Sequence, residues 1–273
     1  VKGVILNGCS PMLYPRLREL ILEHFQGTVR PLGYMPKMPD CSLESRHLGL
    51  ITAQEVTDLR GKLRRMSEQA EKSLDIEGIL ALADAAGELE YTVPQLPAPV
   101  ENVRIAVARD EAFCFYYEDS LQLLEELGAE LVPFSPLRDK AIPENVQGLY
   151  LGGGYPELYA AALSENSSML CSVRRWLEQG RPCVAECGGF LYLQEELEGH
   201  KLVGFCRGSA ENKGKLVRFG YTDMTAKEDN LLCKKGETLR AHEFHYYDTQ
   251  DPGACLEAKK PNGRGWRCAH TSD

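Results

Sequence analysis

The stretch from Pro182 to Leu193, PCVAECGGFLYL, passes from a short apolar run through two glycines into a second apolar run. A strand that turns sharply into a helix needs small residues at the turn, because the backbone is strained there. Gly188 and Gly189 provide that room. The stretch therefore predicts a strand over 182–185, a tight turn at Cys187 and a helical segment over 190–193.

The same order of strand and helix extends upstream of this stretch. Apolar runs predict strands over 103–108, 130–134 and 148–151, and helical spacing predicts helices near 117–127 and 167–179. Strands that alternate with helices form a parallel sheet with both faces covered. We predict an α/β fold with a doubly wound, mostly parallel sheet. Ligands of such sheets bind at the carboxyl ends of the strands.

Cys187 lies at one of these carboxyl ends. A helix that begins after it would direct its positive end at the sulfur and lower the pKa of the thiol. The N–H of Gly188 would then be placed to stabilise an oxyanion. A nucleophile is one interpretation. The other is a buried structural cysteine, as we expect for Cys171 and Cys183.

A second loop at this edge, LGGGYPE over 151–157, follows the strand over 148–151. Three glycines allow backbone amides to approach a ligand closely and to form a small anion-binding concavity. No Gly-Lys-Ser/Thr follows, so the loop is not a P-loop. Taken alone it is a flexible turn. Next to Cys187, Gly153 and Gly154 become the expected second half of an oxyanion hole.

A third cluster, RAHEFHYY over 240–247, holds two of the six histidines. In an extended chain His242 and Phe244 share one face, and Glu243 and His245 share the other. The spacing is not His-Glu-x-x-His, so helical zinc binding is poorly supported, and we expect no metal site. For each histidine a structural, hydrogen-bonded role is the simpler interpretation.

The first third of the chain predicts a separate α/β segment. Residues 1–6 read as a buried strand, and Leu13, Leu17, Leu20, Ile21 and Phe25 recur at helical spacing. A second helix is predicted to open at Thr52, with Glu55 completing a capping box. Prolines at 94, 97 and 99 indicate a linker. We therefore expect domains over 1–92 and 102–273, joined by a linker over 93–101.

Composition narrows the class of protein. The 273 residues carry 31 basic and 40 acidic side chains, a net charge of −9, which argues against a non-specific nucleic-acid binder. No apolar run approaches 18 residues, so no membrane span is predicted, and the first residues lack the pattern of a secretory signal. The ten cysteines are irregularly spaced, as in cytosolic proteins with free thiols. These features predict a cytoplasmic protein.

Three strings carry a resemblance to a known family: ARDEAFCFYYED over 108–119, LGGGYPELY over 151–159 and AECGG over 185–189. Together they resemble the cobyrinate a,c-diamide synthase family. Its members join a dethiobiotin-synthetase-like ATPase domain to a class I, triad-type glutamine amidotransferase domain. GVILN over 3–7 and RHLGL over 46–50 resemble the closing part of that ATPase domain.

The resemblance implies a carbon–nitrogen ligase of cobalamin biosynthesis, which uses glutamine and ATP to amidate the a and c carboxylates of a corrin-type tetrapyrrole. In that chemistry Cys187 attacks glutamine, and the amides of Gly153, Gly154 and Gly188 hold the oxyanion. Asn7 takes a position near the adenine base. ATP with Mg²⁺ is expected in the full-length enzyme, and no cofactor is expected on this chain alone.

Two departures from the family pattern bear on these expectations. The family's P-loop lies upstream of anything present here, and its base histidine lies in a Tyr-x-His motif beyond the last residue. We therefore expect a C-terminal part of a longer enzyme with its last stretch missing. The family's Gly-His-Glu-Phe-His-Tyr-Ser motif has Ala241 and Tyr247 at its ends here. His242 and His245 remain possible substrate contacts.

Two alternatives stay open at this point. One is a diamide synthase for a related tetrapyrrole, either hydrogenobyrinate or nickel-sirohydrochlorin, because nothing in the sequence separates these substrates. The other is a non-catalytic binding module that keeps the amidotransferase fold. The intact turn at Cys187 argues against the second alternative, whereas the missing base and P-loop would suit it.

Overall fold

The computed structural model of this chain describes residues 1–46, 49–51, 53 and 55–271. The chain divides into two compact units, Val1–Pro94 and Gln95–Asp273. The division falls among the prolines of the expected linker. The centre of the RHLGL string, at His47 and Leu48, and the predicted helix cap at Thr52 lie outside the described residues.

The first unit begins with a β-α-β arrangement in which two strands pair in parallel. A helix connects them, and two further helices follow. The strands are β1 (Gly3–Asn7), β2 (Arg30–Met35), β3 (Ser45–Arg46) and β4 (Gly49–Leu50), and the helices are α1 (Tyr14–Phe25), α2 (Leu59–Ser73) and α3 (Ile76–Asp84). Asp75 caps α3 by accepting a hydrogen bond from the Gly78 N–H at 2.9 Å.

Two expectations for this unit are wrong in detail. α2 begins at Leu59 rather than near residue 52, because Asp58 adopts a left-handed conformation (φ 53°, ψ 38°) that a right-handed helix cannot pass through. β1 begins at Gly3 and is only partly buried, with Ile5 42% exposed. Among the described residues β1 pairs with β2 alone, so its side chains are covered incompletely.

The first half of the second unit contains a four-stranded parallel sheet with helices between its strands, and a separate antiparallel pair of strands. The strands are β5 (Val103–Ala108), β6 (Phe113–Phe115), β7 (Ala129–Phe134), β8 (Gly148–Leu151), β9 (Gly153–Gly154) and β10 (Cys183–Ala185), and the helices are α4 (Glu118–Glu126), α5 (Ala160–Glu165), α6 (Ser167–Glu178) and α7 (Gly188–Tyr192). The four-stranded sheet has the order β10-β8-β5-β7, and all neighbours are parallel, whereas β6 and β9 form the separate antiparallel pair. The strand order therefore reverses between β5 and β8, which is the point where such sheets bind ligands.

The main hydrophobic core covers one face of this sheet. Helix α6 directs Met169, Val173 and Trp176 into it, at the i, i+4, i+7 spacing of a helical face. The central strands contribute alternate residues: Ala106, Ala108, Leu149 and Leu151. Val107, which alternates with the two alanines, is also buried but lies outside this core. Both faces of the sheet are therefore covered.

The second half of the unit is mostly antiparallel, and none of its strands was predicted from the sequence. These are β11 (Gln194–Leu197), β12 (His200–Lys201), β13 (Cys206–Asn212), β14 (Arg218–Ala226), β15 (Thr238–His245), β16 (Tyr247–Thr249), β17 (Leu256–Lys259) and β18 (Gly265–Cys268). They form two sheets, ordered β12-β11-β13-β16 and β15-β14-β17-β18. The predicted α/β fold with its parallel sheet is confirmed, and these sheets are added to it.

Candidate active site

The turn between β10 and α7 places Cys187 in a rare backbone conformation. Its φ of 51° and ψ of −112° are unfavourable for a residue with a side chain, at a cost of about 1–3 kcal/mol. Hydrogen bonds on both sides hold it there: the Glu186 N–H donates to Leu151 at 3.0 Å, and the Leu191 N–H donates to Cys187 at 3.1 Å. The geometry is that of the predicted nucleophile elbow.

The two glycines after Cys187 are required by close packing. A Cβ built at Gly189 would lie 2.0 Å from the carbonyl oxygen of Leu151. A Cβ at Gly188 would lie 2.9 Å from Pro156 Cδ and 3.0 Å from the backbone nitrogen of Gly154. Helix α7 therefore begins in direct contact with the neighbouring loop, which larger residues would push away.

The Gly152–Gly154 loop meets the elbow, as the sequence predicted. The Gly189 N–H donates to the Gly152 carbonyl at 2.9 Å, and a Cβ built at Gly153 would lie 3.7 Å from Cys187 Sγ. The N–H groups of Gly154 and Gly188 both interact with the sulfur. Two backbone donors thus converge where a developing oxyanion beside the sulfur would need them.

The electrostatic expectation for Cys187 is wrong in its net direction. Burial of the sulfur has the largest effect and raises the pKa of the thiol, and the charges of Glu157 and Glu186 raise it further. The N–H groups of Gly188 and Gly154 lower the pKa but do not outweigh burial. Helix α7 has only five residues, so its dipole is weak. The residue as a whole is nevertheless exposed to solvent.

The two cysteines expected to be structural differ from each other. Cys183 in β10 is partly buried, and burial raises the pKa of its thiol to about 12. Cys171 on α6 is exposed, contrary to expectation, because the core face of that helix is occupied by Met169 and Val173. Neither cysteine has the backbone strain of Cys187.

Asp110, which follows β5, organises the loop that supports the glycines. Its carboxylate accepts hydrogen bonds from the N–H groups of Ala112 (2.9 Å) and Phe113 (3.2 Å). On its other side it accepts bonds from the Ser135 hydroxyl (2.8 Å) and the Leu137 N–H (3.0 Å). The carbonyl oxygen of Ala112 would lie 2.1 Å from a Cβ built at residue 154, so the loop packs directly on Gly154.

Two tyrosines complete this edge, and sequence reasoning missed their roles together with that of Asp110. The Tyr116 hydroxyl accepts the Gly152 N–H at 2.9 Å and donates to the Ala108 carbonyl. The Tyr150 hydroxyl donates to Glu186 Oε1 at 2.5 Å. A usable signal was present, because Asp110 and Tyr116 lie in the 108–119 string, directly after a strand at the switch point.

The 240–247 cluster is extended, and its two histidines lie on opposite faces of β15. His242 is exposed, and its ring contacts Tyr221, at a centroid distance of 5.4 Å. His245 is half-buried, and its Nδ1 is 2.6 Å from the Tyr247 carbonyl, while Nε2 is 3.9 Å from Glu243. His245 thus has a structural partner, whereas His242 faces outward.

Asn7, the expected contact for the adenine base, lies in the first unit. It ends β1, where it is exposed and its side-chain oxygen accepts the Gly8 N–H at 3.0 Å. Within the described residues no group of three or more His, Cys, Asp or Glu side chains is arranged to hold a metal ion. None of the helices described is both long and apolar enough to span a membrane.

Comparison with known proteins places this geometry in a family. Residues 104–267 match the model of the CobB/CobQ-like glutamine amidotransferase domain. The chain belongs to this family. The matched range contains the elbow, the glycine loop and both histidines, whereas Asn7 lies outside it.

Curated members of the family extend the match to nearly the whole chain. The cobyrinate a,c-diamide synthase of Clostridium acetobutylicum is 41% identical over 278 residues, which cover 99% of this chain and 62% of that protein. The synthase of Caldanaerobacter subterraneus subsp. tengcongensis is 41% identical over 90% of this chain and 55% of its own length. The resemblance stated from the sequence is confirmed. The chain spans about six tenths of the length of these relatives.

A solved structure also aligns with the chain. The structure of PurLQS from Thermotoga maritima matches at 20% identity with a TM-score of 0.42, over 58% of this chain and 76% of that chain.

Proposed function

We propose that this chain carries the glutamine-hydrolysing part of a cobyrinate a,c-diamide synthase. Glutamine would be split at Cys187, and the ammonia would be used to amidate the a and c carboxylates of a corrin precursor. One observation carries the proposal: Cys187 lies at a strained strand-to-helix turn, with the N–H groups of Gly154 and Gly188 at its sulfur.

The chemistry follows from this arrangement. The Cys187 thiolate attacks the carboxamide carbon of glutamine, and the electron pair of the C=O bond moves to oxygen. The N–H groups of Gly154 and Gly188 hold that oxyanion. When the C=O bond re-forms, the C–N bond breaks and protonated nitrogen leaves as ammonia. Water then attacks the thioester, so that glutamine and water yield glutamate and ammonia.

The raised pKa of the Cys187 thiol has a consequence for this mechanism. A thiol with a raised pKa is mostly protonated at neutral pH, so a base must remove its proton before attack. In the family this base is a histidine in a Tyr-x-His motif, and the 273 residues contain no such motif.

For the second half-reaction we propose that ATP with Mg²⁺, bound elsewhere in the complete enzyme, would supply the phosphoryl group that turns the corrin carboxylate into a substrate for ammonia. The fit of this chain to ATP is limited. It contains no Gly-x-x-x-x-Gly-Lys-Ser/Thr sequence to bind phosphates, and Asn7 would contribute only an amide contact to the adenine. We propose the outward-facing His242 as a contact for the tetrapyrrole, and His245, on the opposite face of β15, as a second contact. We also propose the cytoplasm as the compartment, because it supplies both ATP and glutamine.

The decisive experiment replaces Cys187 by alanine in the complete natural protein. Cys187→Ala should abolish glutamine-dependent diamide formation, because loss of a covalent nucleophile costs on the order of 10⁶ in rate. Amidation from added ammonium salt should persist, since the thiol takes no part in activating the carboxylate. ATP-dependent diamide formation is measured with each nitrogen source.

Cys183→Ala provides the matched control, because it removes a sulfur from the same segment, four residues before Cys187. It should keep both activities within about twofold, at a modest cost in stability. A Cys187→Ala enzyme that still used glutamine would contradict the assignment of the nucleophile. A wild-type enzyme that amidated no tetrapyrrole from either source would contradict the proposed reaction.

A further inference from the structure

Tyr116 occupies the gap where the two central strands of the parallel sheet separate. β5 and β8 are paired from Ile105–Gly148 to Val107–Tyr150, where their pairing ends. Just beyond, the Tyr116 hydroxyl donates to the Ala108 carbonyl and accepts the Gly152 N–H at 2.9 Å. One phenol therefore links the two strand ends where the sheet's own hydrogen bonds have stopped.

The Tyr116 ring also fixes the position of the loop by contact. A Cβ built at Gly152 would lie 2.4 Å from Tyr116 Cε1, so the ring is packed directly on the glycine backbone. The ring itself is held edge-on by Tyr150, at a centroid distance of 5.2 Å and an angle of 89°. Both the plane of the ring and its hydroxyl are thus defined by neighbours.

The same loop delivers one of the two donors at the nucleophile. The Gly152 carbonyl accepts the Gly189 N–H at 2.9 Å, and two residues later the Gly154 N–H interacts with the Cys187 sulfur. A donor stabilises an oxyanion only when it lies within hydrogen-bond reach of it. A shift of Gly152 by a fraction of an ångström would therefore carry Gly154 away from the reacting atoms.

We infer that Tyr116 is a positioning residue, which keeps the Gly154 N–H aligned with Cys187 for glutamine hydrolysis and touches neither the sulfur nor the substrate. The inference rests on the proposed function. Burial raises the pKa of the Tyr116 phenol, so the hydroxyl remains protonated at any working pH and can keep both bonds. Tyr116 should therefore add no ionisation of its own to the pH profile.

The test is Tyr116→Phe in the complete natural protein, which keeps the ring and removes the hydroxyl. The kcat for glutamine hydrolysis should fall about 10- to 100-fold, the size expected from misalignment of a reacting group, with the KM for glutamine within about twofold. Because the Gly154 N–H lowers the pKa of the Cys187 thiol, the pH midpoint of Cys187 alkylation by iodoacetamide should move upward. Ammonium-driven amidation should be unchanged.

Tyr117→Phe is the matched control, because it makes the same change at the next residue, whose side chain is 78% exposed. It should match the wild type in every measurement. A Tyr116→Phe enzyme with wild-type kcat and an unmoved alkylation midpoint would overturn the inference. The proposed function would still stand if Cys187→Ala had lost glutamine use.

Hydrogen exchange in the wild-type protein provides a test that does not depend on how the variant folds. The Gly152 amide should exchange slowly, because its hydrogen is held by the hydroxyl of the largely enclosed Tyr116 ring. Rapid exchange at Gly152, measured by mass spectrometry on peptides spanning 150–155, would overturn the inference. So would equal losses of glutamine-driven and ammonium-driven activity in Tyr116→Phe, since the hydroxyl would then serve the whole fold.

Discussion

At the carboxyl edge of the parallel sheet the central side chains are fixed by several partners, whereas on the outer face of β14 and β15 the side chains mostly face solvent. Asp110 accepts four hydrogen bonds, and Tyr116 bridges two strand ends. On the outer face Tyr221 is 79% and Phe219 57% exposed, and their contacts are ring-to-ring. In the first region the positions of the side chains are set by hydrogen bonds to nearby backbone. In the second region they are set by the register in which the two strands pair.

This difference decides how each region responds to substitution. At the edge, glycines meet neighbouring backbone at distances that no Cβ could occupy, and a change must move a strand end or the elbow. On the outer face an altered side chain changes only its surface neighbours. Substitutions at the edge should therefore reduce stability and glutamine hydrolysis together, and those on the outer face should reduce neither.

The largest effect should come from Gly189→Ala. The new Cβ would lie 2.0 Å from the Leu151 carbonyl oxygen, so the start of α7 must move away from β8. We expect a loss of about 3 kcal/mol in the free energy of unfolding. The shift would also separate Cys187 from the glycine loop and reduce glutamine hydrolysis about 100-fold or more. Urea unfolding and a glutaminase assay measure the two effects.

Gly87→Ala is the control for this substitution. A Cβ built at residue 87 would meet no atom within 4 Å, and the backbone there is not left-handed, so stability should change by less than about 0.5 kcal/mol. If Gly189→Ala were equally harmless, the close contact between elbow and sheet would not exist in solution.

The next effect in size should come from Asp110→Asn. The carboxylate receives two donors on each oxygen, so an amide in either orientation turns its NH₂ toward an N–H that it cannot accept. Leaving a buried donor unpaired costs about 1–3 kcal/mol of unfolding free energy, which urea unfolding measures. Because the loop carrying Ala112 packs on Gly154, glutamine hydrolysis should fall as well.

Asp119→Asn makes the same chemical change on an exposed first turn of α4, where the carboxylate accepts the Ser120 N–H at 3.0 Å. The difference in unfolding free energy between the two variants isolates the buried network. Equal free energies of unfolding in the two variants would show that Asp110 does not hold the loop in place. The carboxyl edge would then respond to substitution as an exposed surface does.

The features that the sequence predicts are those that depend on the spacing of hydrophobic residues and on the positions of glycines. The strands over 103–108 and 148–151 were predicted to the residue, and Cys187 and its glycine loop lie together as expected. The start of α2 was misplaced, because a left-handed Asp58 leaves no trace in hydrophobic spacing. Such a break is decided by a single residue's backbone angles.

Two features of the site could not be read from local sequence. The direction of the Cys187 pKa shift depends on how many atoms surround the sulfur, which only the packed structure determines. The role of Tyr116 depends on bonds to Ala108 and Gly152, eight and 36 residues away. Motif reasoning identified the groups that we propose to react and missed the groups that hold them in place.

The smallest effect on stability should come from His242→Ala, and this variant tests whether the outer face has a task of its own. The ring is exposed and contacts Tyr221 at a centroid distance of 5.4 Å, so the free energy of unfolding should change by less than about 0.5 kcal/mol. Glutamine hydrolysis should be unchanged, because no part of the elbow depends on this ring.

If His242 contacts the tetrapyrrole as proposed, the KM for that substrate should rise about tenfold in His242→Ala, which corresponds to about 1.4 kcal/mol of binding. His200→Ala, at an exposed histidine on β12, should leave the KM unchanged. Equal tetrapyrrole kinetics in both variants would contradict the contact at His242, and the outer face would then differ from the edge by exposure alone.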